Sequence, residues 1–285
     1  MKNLLRLTLL FSFVAAALHA ADFRDHLGLQ LYSLRAQTKV STTGALDIAK
    51  SYGIKEVETA GTGSLTTAQF AAELKARGFV AISGHFGYGL FEKDIAAVIR
   101  DAKELGLKFV IVPYPPVSKE KPFSEEMAHA MAAKFNEWGA ACKKEGLRFG
   151  YHPHGLEFKP TAAGNGEVMF DILARETKAD LVTYEMDVYW VYITGQDPAK
   201  LLAKYPTRFS MVHIKDMLKD FARGVHTGGS PEKAKVTVGE GQIQWAEVLT
   251  TAQKIGVQHY FLEDETLTPL KSIPDSFQYL RALKL

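Results

Sequence analysis

Apolar runs of strand type and stretches of helical period alternate along the chain from residue 27 onward. Residues 27–32, 55–58, 79–85, 108–113, 147–152, 181–187, 208–214 and 259–263 read as strands. Helical patterns occupy 43–52, 66–77, 92–105, 124–145, 168–176, 198–204, 245–254 and 269–283. Gly53, Gly78, Gly106, Gly146 and Gly256 stand where those helices should stop. Ser124, followed by Glu125 and Glu126, suits a helix N-terminus, where acidic groups meet the dipole. Eight βα units with short returns predict a single (β/α)8 TIM barrel over residues 21–285. A doubly wound sheet is the competing architecture, but no glycine-rich fingerprint follows the first strand.

Several strands end in polar side chains: His152-Pro153-His154, Glu185-Met186-Asp187, His213-Ile214-Lys215-Asp216 and Glu263-Asp264. Side chains alternate along a strand. With His213 inward, Met211 and Lys215 share its face, as do His152 with His154, Glu185 with Asp187, and Phe261 with Glu263. Glu58, His85, Gln30 and Tyr32 end the first three strands. Polar groups therefore collect at the C-terminal mouth, where barrels of this kind carry their chemistry, above apolar layers.

Residues 1–20 change the picture of location. Lys2 and Arg6 precede an apolar stretch at 7–17, and small residues before Ala20 and Ala21 suit cleavage there. The expectation is a signal peptide and an exported, periplasmic protein; an uncleaved anchor is the alternative. Without Lys2 and Arg6 the 34 basic residues fall to 32, against 32 acidic ones. A neutral chain does not favour nucleic-acid binding, and no stable membrane anchor is expected. The single cysteine, Cys142, lies in a helical pattern and reads as a buried thiol without an intramolecular disulfide.

Imidazoles and carboxylates without thiolate suit Mn, Co, Fe or Zn. Each of His152, Asp187, His213 and Glu263 alone is an ordinary rim group. At one height on consecutive strands, the four form a candidate metal site. Lys215 and Asp216 read either as a rim ion pair or, functionally, with Lys215 as proton donor or oxyanion clamp. His152 and Glu263 join Lys215 as candidate catalytic residues. Glu58, His85, His154, Trp190 and Asp216 are candidate substrate contacts. The stretch 218–244, rich in glycine, is either a lid over the mouth or a surface excursion.

The motifs Leu29-Gln30-Leu31-Tyr32-Ser33-Leu34-Arg35, Glu56-Val57-Glu58-Thr59-Ala60-Gly61, Gly150-Tyr151-His152-Pro153-His154-Gly155-Leu156-Glu157-Phe158, Glu185-Met186-Asp187-Val188-Tyr189-Trp190, His213-Ile214-Lys215-Asp216-Met217 and Val238-Gly239-Glu240-Gly241-Gln242-Ile243 resemble the sugar phosphate isomerase/epimerase family of the xylose-isomerase-like TIM-barrel superfamily. The resemblance covers nearly the whole chain beyond residue 20. It implies a divalent metal held from strands five to eight, with Asp187, His213 and Glu263 at the family's usual positions. Many members carry a Glu at strand five, where this chain has His152, so His-based proton transfer becomes the expectation. Ketose epimerases carry a His where Trp190 stands. The implied chemistry is proton abstraction beside a carbonyl, with the metal stabilising an enediolate. Isomerisation or epimerisation of an unphosphorylated sugar or keto-sugar is the first expectation. A lyase or hydratase of 3-keto-glycosides or 3-keto-glucal, and a non-catalytic sugar-binding barrel, are the alternatives. Which sugar, which metal and which oligomeric state are left open by the sequence.

Overall fold

The computed structural model describes residues 22–229 and 231–285. The expected signal peptide at 1–20 lies outside the described residues. Eight parallel strands close into a barrel: β1 (Leu27–Gln30), β2 (Glu56–Thr59), β3 (Val80–His85), β4 (Phe109–Val112), β5 (Arg148–Tyr151), β6 (Val182–Asp187), β7 (Phe209–Ile214) and β8 (His259–Leu262). Each pairs with its sequence neighbours, and β1 closes the ring on β8 with Leu27 opposite Tyr260 and Leu29 opposite Leu262. The expected (β/α)8 architecture is the one observed.

Local signals explain the helices between the strands. Ser41 caps Thr42–Ser51 by accepting from Gly44 N, and Thr66 with Gln69 forms a capping box on Thr67–Ala76. Ser124 caps Glu125–Lys144, which carries Glu125 and Glu126 in its first turn and Lys143 and Lys144 in its last. That helix ends at Gly146, whose φ of +76° only glycine adopts at low cost, and Leu147 N closes back on the Cys142 carbonyl at 3.0 Å. Cys142 is buried, and that burial pushes its thiol up to about 12.

Two helices depart from the pattern reading. The fourth-strand side helix begins at Tyr88, not near residue 92, and is broken at Asp94, where φ is −161°. Asp94 Oδ1 accepts from Ala97 N at 2.9 Å, so the sequence pattern marks the second segment's cap. A short helix, Val188–Ile193, also leaves β6 directly. Its side chains are buried almost all round, so no apolar stripe announced it.

The lumen is layered. Ile82, Phe109, Ile111, Met211 and Phe261 form an apolar plug across its middle. Gly28 on β1 leaves no room for a side chain, since a Cβ there would sit 2.4 Å from the Glu56 carbonyl oxygen. Polar groups lie on both sides of the plug: a large set at the C-terminal mouth and a smaller set, His26, Glu56 and His259, at the other end.

Candidate active site at the barrel mouth

His213, at the end of β7, is fully buried and uses both ring nitrogens. Its Nε2 lies 2.5 Å from Glu58 Oε2 and 3.1 Å from Glu185 Oε1, while Nδ1 faces Glu263 Oε2 at 3.3 Å. Glu58 is fixed in turn by Gln30 Nε2 at 2.7 Å and by Ser83 Oγ at 2.6 Å. Glu185 Oε2 lies 2.9 Å from His85 Nε2 and 3.0 Å from His152 Nδ1. Glu185 therefore sits at the centre of three imidazoles. The sequence reading places it on the face of Asp187 without giving it a role, although a carboxylate one layer deeper in the lumen was the available signal.

Asp187 ends β6 and also caps the helix that follows. Its Oδ1 accepts from Trp190 N at 3.1 Å. This hydrogen bond aims Oδ2 into the mouth, where it is 3.1 Å from Lys215 Nζ and 3.9 Å from His152 Nε2 and takes no hydrogen bond of its own. Lys215 Nζ also lies 2.7 Å from Glu263 Oε2 and 3.1 Å from Glu265 Oε2. Glu265, a residue the sequence reading did not single out, pairs with Lys235 at 2.8 Å as well.

The charges respond strongly to one another. Burial works against protonated His213, but Glu185 and Glu58 outweigh it and hold the imidazole well above its ordinary value. The same contest, with Glu58 and Glu185 opposing burial, raises His85 to about 9. Burial opposes ionised Glu185 and Glu263, yet His213 acting on the first and Lys215 on the second keep both well below the carboxylate range. Lys215 is held well above its usual value, burial being overcome by Asp187, Glu263 and Glu265. His154 goes the other way: burial, then His152 and Lys215, push it well below its ordinary value, so it is neutral.

Carboxylates and imidazoles gathered this closely also form a donor set for a cation. Asp187, His213 and Glu263 each offer a ligand atom, and these lie within 4.8 Å of one another. Of the four expected ligands these are three; His152 Nε2 lies 3.9 Å from Asp187 Oδ2 but falls outside this group. A second group, His85, His152, Glu185 and His213, meets the same distance limit deeper in the mouth. His213 belongs to both. The contact of its Nε2 with Glu58 would fix the tautomer and ring orientation for a bound ion. The mixed imidazole and carboxylate donors and the unbonded Asp187 Oδ2 fit a first-row divalent ion.

A cavity of about 390 Å³ opens onto this cluster. Its lining includes His85, His152, His154, Glu263 and Glu265, with Tyr32 and Tyr114 at its outer edge. The expected contacts divide accordingly. His85 and His154 face the cavity. Glu58 is fully buried beneath it and engaged with His213, so it acts through that ring. Trp190 is 4% exposed and packs behind His154, with ring centroids 5.1 Å apart, so it backs the wall without lining it.

Asp216 stands apart from the cluster, and the structure gives it a different task from substrate contact. Its carboxylate accepts from the backbone N of Met217, Gly239, Gly241 and Ile243 and from Trp245 Nε1, at 2.8 to 3.3 Å. It thereby ties down the long stretch after β7, where Asp216–Met217 pairs with Lys235–Val236. Within that stretch, Arg223 donates to the carbonyls of Tyr192 and Gln196, and Gly224 N to Ile193 O. The segment is docked onto the barrel in this structure.

Comparison with known proteins agrees with this architecture. The chain is similar to the inosose dehydratase of Bacillus thuringiensis (strain Al Hakam), 27% identical over 202 residues, which are 66% of this chain and 63% of that protein. An inosose dehydratase of Bacillus anthracis (strain CDC 684 / NRRL 3495) is 28% identical over 59% of this chain and 57% of its own. The match thus spans less than two thirds of these relatives' length. Among solved structures, a sugar phosphate isomerase/epimerase from Parabacteroides distasonis ATCC 8503 superposes with a TM-score of 0.74 at 24% identity, covering 90% of this chain and 98% of that one. The IolI protein with a binding zinc atom superposes at 0.69 with 15% identity, covering 90% and 95%. Residues 46–283 match the model of one family throughout, and the chain belongs to that family, the xylose isomerase-like TIM barrel proteins.

Proposed function

We propose that this protein is a divalent-metal-dependent enzyme that removes a proton next to the carbonyl of an unphosphorylated sugar or keto-sugar. The observation that carries the proposal is the buried convergence of Asp187, His213 and Glu263 beside an open cavity. Asp187, His213 and Glu263, with His152 beside them, would hold a divalent ion, which when bound would supply Lewis-acid charge at the mouth. The chain's own groups do the rest. Lys215 braces Asp187, Glu263 and Glu265 and keeps the carboxylates of the two glutamates ionised. Glu58 holds the His213 ring in position. Neutral His154, whose Nδ1 carries no hydrogen bond, faces the cavity beside His152 and is the imidazole free to carry a proton to or from the substrate. Tyr32 and Tyr114, 43% and 37% exposed, offer aromatic faces to a sugar ring.

The cavity lining also bears on the substrate. It includes no lysine or arginine among the described residues, so no ammonium or guanidinium faces it to grip a phosphate. An exported location, proposed from residues 1–20, is consistent with a neutral sugar.

Returning the proton to the neighbouring carbon or to the opposite face gives isomerisation or epimerisation. Expelling a β-hydroxyl or a glycosidic oxygen gives elimination, and the dehydratase names of the curated relatives favour this second outcome. The test is to incubate metal-loaded protein in D2O with keto-sugars, inososes and 3-keto-glycosides and to follow product mass. Deuterium uptake with otherwise conserved mass marks isomerisation, and loss of water or an aglycone marks elimination. Saturable binding with neither exchange nor turnover would leave a sugar-binding barrel.

A further inference from the structure

The end of the barrel opposite the mouth carries a polar cluster that the proposed reaction does not use. His26 closes the 3-10 turn Phe23–His26 just before β1, Glu56 opens β2, and His259 opens β8. Glu56 Oε1 lies 2.9 Å from His26 Nδ1, and its Oε2 lies 2.7 Å from His259 Nδ1. The three ligand atoms fall within 4.8 Å of one another. Glu56 and His259 side chains are 14% and 7% exposed, whereas His26 is 41% exposed and free to adjust.

We propose that His26, Glu56 and His259 form a second divalent-metal site that takes a zinc-class ion and clamps the seam where the first strand meets the last. Two imidazoles and one carboxylate are a zinc donor set, and such sets keep a fourth position open. A cavity of about 760 Å³, lined by His26 and His259 among others, gives that position access to solvent. Metal–ligand bonds of about 2.0 to 2.1 Å place tetrahedral ligands roughly 3.3 Å apart. The spacings from Glu56 to His26 and to His259 each need to widen by about half an ångström, the first by movement of His26 on its terminal turn and the second by rotation of the Glu56 carboxylate. The plug of Ile82, Phe109, Ile111, Met211 and Phe261 separates this cluster from the mouth, so the two sites fill independently. The inference does not depend on the proposed function.

The experiment strips the full-length protein with a chelator and titrates it with Zn(II) against a chromophoric competitor. The proteins compared are wild type, His26→Ala, His213→Ala and the double variant. With both sites binding, wild type takes two equivalents, each single variant one and the double variant none. If wild type takes one equivalent and His26→Ala none, the seam site stands and the mouth site falls. Zinc at 100 times its dissociation constant should also raise the Tm of His213→Ala by about 5 °C and leave the double variant unchanged. Equal stoichiometry in wild type and His26→Ala overturns the inference and leaves the three residues as a hydrogen-bonded cluster. Should His26→Ala fold poorly, His26→Gln repeats the comparison with less loss of packing.

Discussion

His213 and Glu58 meet at 2.5 Å on the side of the imidazole away from Glu263, so one ring faces a carboxylate brace with Nε2 and the candidate metal position with Nδ1. Glu58→Gln keeps the shape of the brace but removes its charge. Divalent-ion affinity should fall about 10- to 100-fold, the usual effect of losing such a partner. Competition titration of the purified variant checks this; unchanged affinity would mean that the ion, if bound, does not use His213 Nδ1.

Lys215 is the cation that the chain itself places among Asp187, Glu263 and Glu265. Lys215→Met takes the shared cation from three carboxylates, leaving Glu265 with Lys235 and Glu263 with His213, and should cost about 3–5 kcal/mol in the metal-free protein. A divalent ion then offsets more charge than before, so added Mn(II) or Zn(II) should raise Tm further in the variant than in wild type. Thermal unfolding with and without metal measures the difference. An equal rise in both would separate the binding site from these carboxylates.

Asp216 organises the stretch after β7. Asp216→Ala leaves four backbone N–H groups and Trp245 Nε1 without their acceptor. A loss of about 3–5 kcal/mol is expected, since buried donors without partners cost about 1–3 kcal/mol each and relaxation recovers part. Denaturant unfolding reads the loss, and limited proteolysis should cut first between residues 218 and 244. Gly241 has a matching constraint, because a Cβ there would lie 2.1 Å from Asp216 Oδ1.

The pH dependence of stability has a readable contribution away from the mouth. Asp171 accepts from Val168 N at 3.0 Å, Lys204 Nζ at 2.8 Å and Tyr205 Oη at 2.5 Å. Burial raises its pKa, but Lys204 and Tyr205 outweigh that and set it below the ordinary 3.8. A lowered folded value means stability that is complete above the unfolded pKa and lost as pH falls through the folded one. Wild type should therefore exceed Asp171→Asn in stability at pH 7, and the gap should close as pH drops below about 4. Urea unfolding of both proteins from pH 7 to pH 3 tests this. A gap as wide at pH 3 as at pH 7 would assign it to packing.

Much of this molecule follows from short-range information. Strand and helix periods, the Ser41, Thr66 and Ser124 caps and the glycine stops are local preferences, and all are found in the fold. Strand alternation likewise placed Met211, His213 and Lys215 on one face, and Met211 with Phe261 in the lumen. The convergence of Asp187, His213 and Glu263 could be expected because they end neighbouring parallel strands.

Distance between strands across the lumen is another matter, and it was decided only by barrel closure. Glu58 reaches His213 from β2, 155 positions earlier in the chain, and no periodicity on either strand encodes that meeting. Glu185 gains its three imidazoles in the same way, while Asp216 turns away to hold its own loop because five donors gather there once the chain returns. The pairing of His26 with His259 through Glu56 exists only where the first strand closes on the last. Local chemistry chose the side chains and their faces; the closed ring of eight strands chose their partners, because only the folded geometry sets which faces look at one another.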